Sequence, residues 1–136
     1  MDKVNTHKLF HCTFSLSYHF VFVTKYRRAC LSAAMLERLR HWLTELVAGY
    51  GEVLEFNGEA DHVHLLLALN PKVAPSVMAN TLKTVTSRLL RRDFAEQLRP
   101  IYAKPVLWSR SYFVASAGGA PLSVIKRYIE QQHRPE

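Results

Sequence analysis

The chain has 136 residues, is 49% hydrophobic, and carries 18 lysines and arginines against 11 acidic residues, a formal net charge of +7. This length and apolar content describe one folded domain, residues 1–136, and exclude a disordered chain, while no apolar run approaches the ~20 residues of a membrane span. The opening MDKVNTHKLF lacks an apolar export core, and Cys12 and Cys30 are too few for a disulfide framework, so a cytoplasmic protein with reduced thiols is expected. The positive balance favours a polyanionic partner, nucleic acid foremost.

In chain order, CTFSLSYHFVFVTKY alternates, with Phe14, Leu16, Tyr18, Phe20 and Phe22 on one face; this predicts a long first strand. A helix follows, with Ser32 as N-cap, an apolar stripe of Met35, Leu36, Leu39, Trp42, Leu43, Leu46 and Val47, and Gly49 and Gly51 marking its end. EVLEFNGEA and DHVHLLLAL read as the second and third strands. A second helix opens near Pro75–Ser76, with Met78, Leu82, Val85 and Leu89 facing the core and Lys83, Thr84, Ser87 and Arg91 opposite. LWSRSYFVAS reads as a fourth strand, AGG as a break, and Pro121 as the start of a last helix, PLSVIKRYIEQQ. The order β-α-β-β-α-β-α predicts an α+β, ferredoxin-like antiparallel sheet with helices packed on it.

Residues two apart on a strand project from the same face. His62 and His64 therefore point together, while Val63, Leu65, Leu67 and Leu69 point the other way. Two such imidazoles suit one divalent metal ion; so short a pattern by itself more often marks a partly buried pair satisfied by hydrogen bonds. Asp61 fits either a carboxylate that orients one of the rings or a turn residue. His19 is expected to pack or hydrogen-bond locally.

In the last helix Tyr128 and Gln132 are four apart and share a face. A tyrosine hydroxyl is a nucleophile once deprotonated, though an ordinary pKa of ~10 requires help from a neighbour or a metal. By themselves, Tyr128 also reads as a core-boundary tyrosine beside Ile125 and Ile129, and Gln132 as a solvent-facing residue.

The blocks YHFVFVTKYRR, DHVHLLL, LKTVTSRLLRRDF, LWSRSYFVASAGG and IKRYIEQQ, taken together and in this order, resemble the single-tyrosine HUH transposases of the insertion-sequence 200/605 group. The resemblance runs from Tyr18 to Gln132. It implies the HUH endonuclease/transposase fold, with Tyr128 as nucleophile and His62, His64 and Gln132 as ligands of Mg²⁺ or Mn²⁺. It further implies cleavage and rejoining of single-stranded DNA through a 5′-phosphotyrosine, hairpins at transposon ends as the partner DNA, and a homodimer whose tyrosine helix can complete the partner's active site. Ala117-Gly118-Gly119 would give the backbone freedom for such an exchange. Two positions depart from the group: GEADHVH lacks the Met-Pro often found before the aspartate, and Thr84 stands where glycine is common.

For DNA contact the candidates are Lys83, Thr84, Ser87, Arg88 and Arg91 on the second helix, with Lys25, Arg27 and Arg28 at the end of strand one. Trp108, Tyr112 and Phe113 are candidates for base stacking or for core. Alternative functions are a domesticated relative acting on repeated extragenic hairpins and a non-catalytic ferredoxin-like nucleic-acid-binding module. A relaxase would place its tyrosine before the histidines, opposite to the order here.

Overall fold

The computed structural model describes residues 7–9, 12–117 and 122–132; Gly118, Gly119 and Pro121, which the sequence marks as a break and a helix start, lie outside them. The elements are β1 (His7–Leu9), β2 (Cys12–Phe14), β3 (Ser17–Val23), α1 (Ala33–Val47), β4 (Gly51–Gly58), β5 (His62–Leu69), α2 (Pro75–Asp93), α3 (Ala95–Leu98), β6 (Phe113–Ser116) and α4 (Leu122–Gln131). The four-stranded antiparallel sheet has the order β4-β5-β3-β6, and β1 and β2 form a separate hairpin.

The alternation of the first strand is confirmed over Ser17–Val23, but the strand is split. Phe14 ends the β1–β2 pairing, and Leu16 bonds through its carbonyl to Leu69 N at 2.9 Å, turning the chain into the main sheet. Phe20 and Phe22 on one face of β3 meet Leu65 and Val63 of β5, and this face is closed by α1 and α2. Val21 and Val23 on the other face are equally buried, because α4 covers them with Ile125. A strand buried on both sides is the centre of a layered domain.

Ser32 caps α1 as expected, its Oγ accepting from Met35 N at 3.2 Å. Met35, Leu39, Trp42, Leu43 and Val47 form the buried stripe, and each large side chain so buried contributes roughly 1.5–3 kcal/mol. The buried row of α2 is Met78, Ala79, Leu82, Thr86 and Leu90, so the core-facing row is rotated from the expected one, and Val85 and Leu89 are half-buried. The reason is Thr86. Its hydroxyl donates to Leu82 O at 2.6 Å and accepts from the Trp108 indole at 3.0 Å, which lets a polar residue occupy the core.

The fourth strand is shorter than LWSRSYFVAS suggests. Only Phe113–Ser116 pairs with β3; Trp108 makes an isolated bridge to Thr24. Between them the Lys83 ammonium takes the carbonyls of Arg110 and Ser111, at 2.9 and 3.2 Å, out of any ladder.

Candidate active site

His62 and His64 project from the α4 side of the sheet, opposite Val23 and Val21. Each has a defined partner. His62 Nδ1 lies 2.8 Å from Asp61 Oδ1, and Arg27 Nε donates to Asp61 Oδ2 at 2.8 Å. His64 Nε2 lies 2.8 Å from Nδ1 of His19, with the two rings stacked at a centroid distance of 5.0 Å. His19 thus finds its partner across the sheet, not locally as expected: its strand neighbour Val21 is registered against His64.

These contacts set the protonation states. Burial works to raise the Asp61 carboxyl, but hydrogen bonds from His62 and Arg27 outweigh it and hold the group below the usual carboxylate range. An ionised Asp61 can only accept, so His62 donates from Nδ1, and in the neutral imidazole this leaves the lone pair at Nε2. Burial, seconded by the nearby His19, lowers the pKa of His64 and favours its neutral form.

Arg27 sits on a 3₁₀ turn, Lys25–Arg27, in which Tyr26 (φ 61°) and Arg27 (φ 55°) adopt left-handed backbone. Two consecutive non-glycine residues in this region cost of order 1–3 kcal/mol each and persist only where the surroundings impose them. Here they do. Buried Thr24 bonds Asp61 O through its N–H (2.9 Å) and hydroxyl (3.1 Å), Lys25 N bonds Leu107 O at 2.7 Å, and Tyr102 donates its hydroxyl to Lys25 O at 2.6 Å.

Tyr128 on α4 and Gln132, one residue past its end, lie together, as their spacing predicts, but over β6 and the segment before it. The Tyr128 ring packs on Phe113 at 5.5 Å, its hydroxyl lies 3.0 Å from Ser111 Oγ, and Gln132 Oε1 accepts from Ser109 (3.3 Å) and Ser111 (3.2 Å). Burial raises the Tyr128 hydroxyl pKa, with Ser111 partly opposing. His64 and Phe113 both flank Val21, on opposite sides, and are therefore two strand spacings apart, roughly 10 Å. Among the described residues, no hydrogen bond joins the histidine group to the Tyr128–Gln132 group. What faces the histidines instead is a groove of about 430 Å³, walled by Arg27, Ile125, Lys126, Ile129 and Glu130.

For a divalent ion the fit is partial. His62 is preset with Nε2 open, whereas His64 Nε2 is engaged by His19 and Gln132 by the serines; among the described residues no three His, Cys, Asp or Glu side chains converge. Gln132, the third ligand that the resemblance implies, rests instead on Ser109 and Ser111, on the far side of Val21 from the histidines.

The expected DNA-contacting side chains divide. Lys83, Thr84, Ser87, Arg88 and Arg91 line a second groove of about 470 Å³ with residues 105–110. Within it Lys83 is half-buried on backbone carbonyls, and burial lowers its pKa. Arg91 donates to Val106 O and Tyr102 O, both at 3.0 Å. Arg88 and Thr84 are exposed there, and Arg28 is exposed beside the turn. Lys25 lies over the Tyr26 ring at 5.1 Å. Trp108 is buried and Phe113 is covered by Tyr128, so both are packing residues. Ser109 and Ser111 were not anticipated.

A ferredoxin-like sheet with a histidine–hydrophobe–histidine strand and a tyrosine-bearing closing helix on one face defines the class of single-tyrosine transposases. The chain belongs to the IS200-like transposase family, whose profile matches residues 12–132. It is 29% identical over 124 residues to the ISDra2 transposase TnpA of Deinococcus radiodurans, covering 90% of this chain and 88% of that one. It is 30% identical over 131 residues to the transposase for insertion sequence element IS200 of Salmonella typhimurium, covering 91% and 81%. A crystal structure of a candidate transposase from Deinococcus radiodurans R1 superposes with a TM-score of 0.85 at 28% identity, over 94% of this chain and 98% of that one. The REP-associated tyrosine transposase bound to a REP hairpin shares the fold, with a TM-score of 0.52 at 13% identity over 86% of this chain and 64% of that one. No described helix is long and apolar enough to cross a membrane.

Proposed function

We propose that this transposase cleaves and rejoins single-stranded DNA through a 5′-phosphotyrosine on Tyr128, with Mg²⁺ or Mn²⁺ held by His62, His64 and the Gln132 amide oxygen. The observation that carries the reading is the placement of both half-sites on one sheet face: a histidine pair with one imidazole preset by Asp61, and a helix presenting Tyr128 and Gln132 together.

Tyr128 loses its proton and its oxygen attacks the phosphorus in line; the bond to the 3′ oxygen breaks, and that oxygen leaves as a hydroxyl after taking up a proton. The phosphodiester's free energy stays in the tyrosine ester, so a second 3′-hydroxyl can reverse the step and join new ends. When bound, the ion supplies positive charge that offsets the charge developing on the phosphate and favours the phenolate. Before attack, Tyr128 and Gln132 must leave Ser111, because there they stand two strand spacings, roughly 10 Å, from the histidines. The family resemblance supplies the route: a homodimer in which α4 reaches the histidines of the second subunit. The partner DNA is a hairpin at a transposon end, held through the exposed basic residues of α2.

The test is incubation with single-stranded DNA carrying a transposon end, with Mn²⁺ or with EDTA. Tyr128→Phe and EDTA each abolish the covalent protein–DNA adduct on a denaturing gel, while hairpin binding persists in the variant. An adduct that survives the substitution removes Tyr128 from the mechanism, and one that survives EDTA removes the metal.

A further inference from the structure

Sequence pattern groups Arg27 with the basic residues that meet DNA, and the structure gives its side chain a different occupation. Arg27, Asp61 and His62 form a chain of two 2.8 Å hydrogen bonds in which the carboxylate gives one oxygen to each neighbour. All three side chains are largely covered, at 29%, 21% and 19% exposure. The turn that carries Arg27 is left-handed at two successive non-glycine residues and is tied to the entrance of β5 by three separate bonds: Thr24 N and Thr24 Oγ1 to Asp61 O, and Leu31 N to Ala60 O. A surface arginine that reaches for a phosphate needs no such backbone.

We infer that Arg27 is a positioning residue for His62, acting through Asp61. The guanidinium Nε–H occupies the carboxylate oxygen that His62 does not use, which stops the carboxyl rotating into the groove and keeps its other oxygen on His62 Nδ1. His62 is thereby fixed in the tautomer whose Nε2 lone pair is open to the groove it shares with His64. Remove Arg27 and Oδ2 loses its donor; the carboxyl turns toward water, and the imidazole is free to flip or change tautomer. Lysine cannot substitute, because its ammonium is a compact charge without the fixed Nε–H direction. The significance for a bound ion rests on the metal reading above, but the positioning itself does not.

The two are separated by measuring them in the same proteins. In metal-stripped protein, ¹⁵N NMR of the His62 ring should show the Nδ1–H tautomer in the wild type and its loss in Arg27→Ala, Arg27→Lys and Asp61→Asn. Mn²⁺ affinity by calorimetry should fall about 10–100-fold in each variant, and Arg27→Ala should add little to Asp61→Asn, as for residues acting through one chain. If Arg27→Ala does not fold, Arg27→Lys and Asp61→Asn carry the comparison. Loss of the tautomer in variants of a wild type that takes up no Mn²⁺ upholds the positioning and refutes the metal reading. An unchanged His62 tautomer in both Arg27 variants, with the salt slope of hairpin binding reduced by about one, makes Arg27 a phosphate contact and overturns the inference.

Discussion

The hydroxyl of Ser111 lies 3.0 Å from that of Tyr128. The same serine donates to Gln132 Oε1 at 3.2 Å, so a single residue of the segment before β6 bonds both Tyr128 and Gln132 on the far side of Val21 from the histidines.

Replacing Ser111 by alanine should therefore loosen the resting position. A neutral hydrogen bond is worth about 1 kcal/mol net, so adduct formation should hold steady or rise by up to about fivefold, with a small loss of stability. Without the hydrogen bond that partly opposes burial, Tyr128 should also titrate higher in a spectrophotometric titration. A drop in adduct rate of tenfold or more would mean the serine takes part in the chemistry instead.

Arg88 and Arg91 line the same groove but should behave differently. Arg88 is exposed, and Arg88→Ala should lower the salt slope of DNA binding by about one with no change in melting temperature. Arg91 spends its guanidinium on two carbonyls of the segment it faces, and Arg91→Ala should lower the melting temperature by several degrees. Equal effects on stability would contradict this division.

Thr86 and Trp108 form a buried polar pair. Thr86→Val strands the indole N–H and should cost about 1–3 kcal/mol in urea unfolding. Adding Trp108→Phe to Thr86→Val should cost less than the two single losses combined, since the second change removes the stranded donor. Strict additivity would show that the two do not depend on one another.

Stability should also depend on pH through His64. Burial depresses its folded-state pKa below the unfolded value of about 6.5, so between the two the unfolded chain binds the extra proton. Its neutral form is accommodated above about pH 6.5, and stability falls as the pH drops through that value toward the folded pKa. Asp61, depressed in its turn, loses its contribution at lower pH still, below about 3.9. Melting curves in EDTA should show the first decline in the wild type and a flatter profile in His64→Gln; an equal slope in both would assign it to another group.

Much of the scaffold could be read directly from residue order. Period-two alternation located β3 and β5, the stripe and Ser32 located α1, and same-face spacing put His62 beside His64 and Tyr128 beside Gln132. What escaped is long-range partnership. Nothing near Arg27 in the chain says that its backbone is left-handed or that its guanidinium belongs to Asp61, since both follow from Thr24 and Tyr102 clamping the turn from opposite sides. Ser109 and Ser111 look like ordinary strand serines until Lys83 draws their segment out of the ladder. The core row of α2 was misplaced because a threonine can be internal once an indole satisfies it.

The sheet is anchored unequally. One face carries the extensive core under α1 and α2; on the other, among the described residues, α4 fully buries just Ile125 against Val21 and Val23. Burying Ile125 is worth roughly 1.5–3 kcal/mol, and Phe113, Tyr128 and Ile129 pack half-buried around it, still far fewer apolar side chains than the opposite layer supplies. The layer that bears the tyrosine thus stands on a much narrower apolar footing than the layer opposite, and it is the part of the domain expected to come away first on mild denaturation, ahead of α1 and α2.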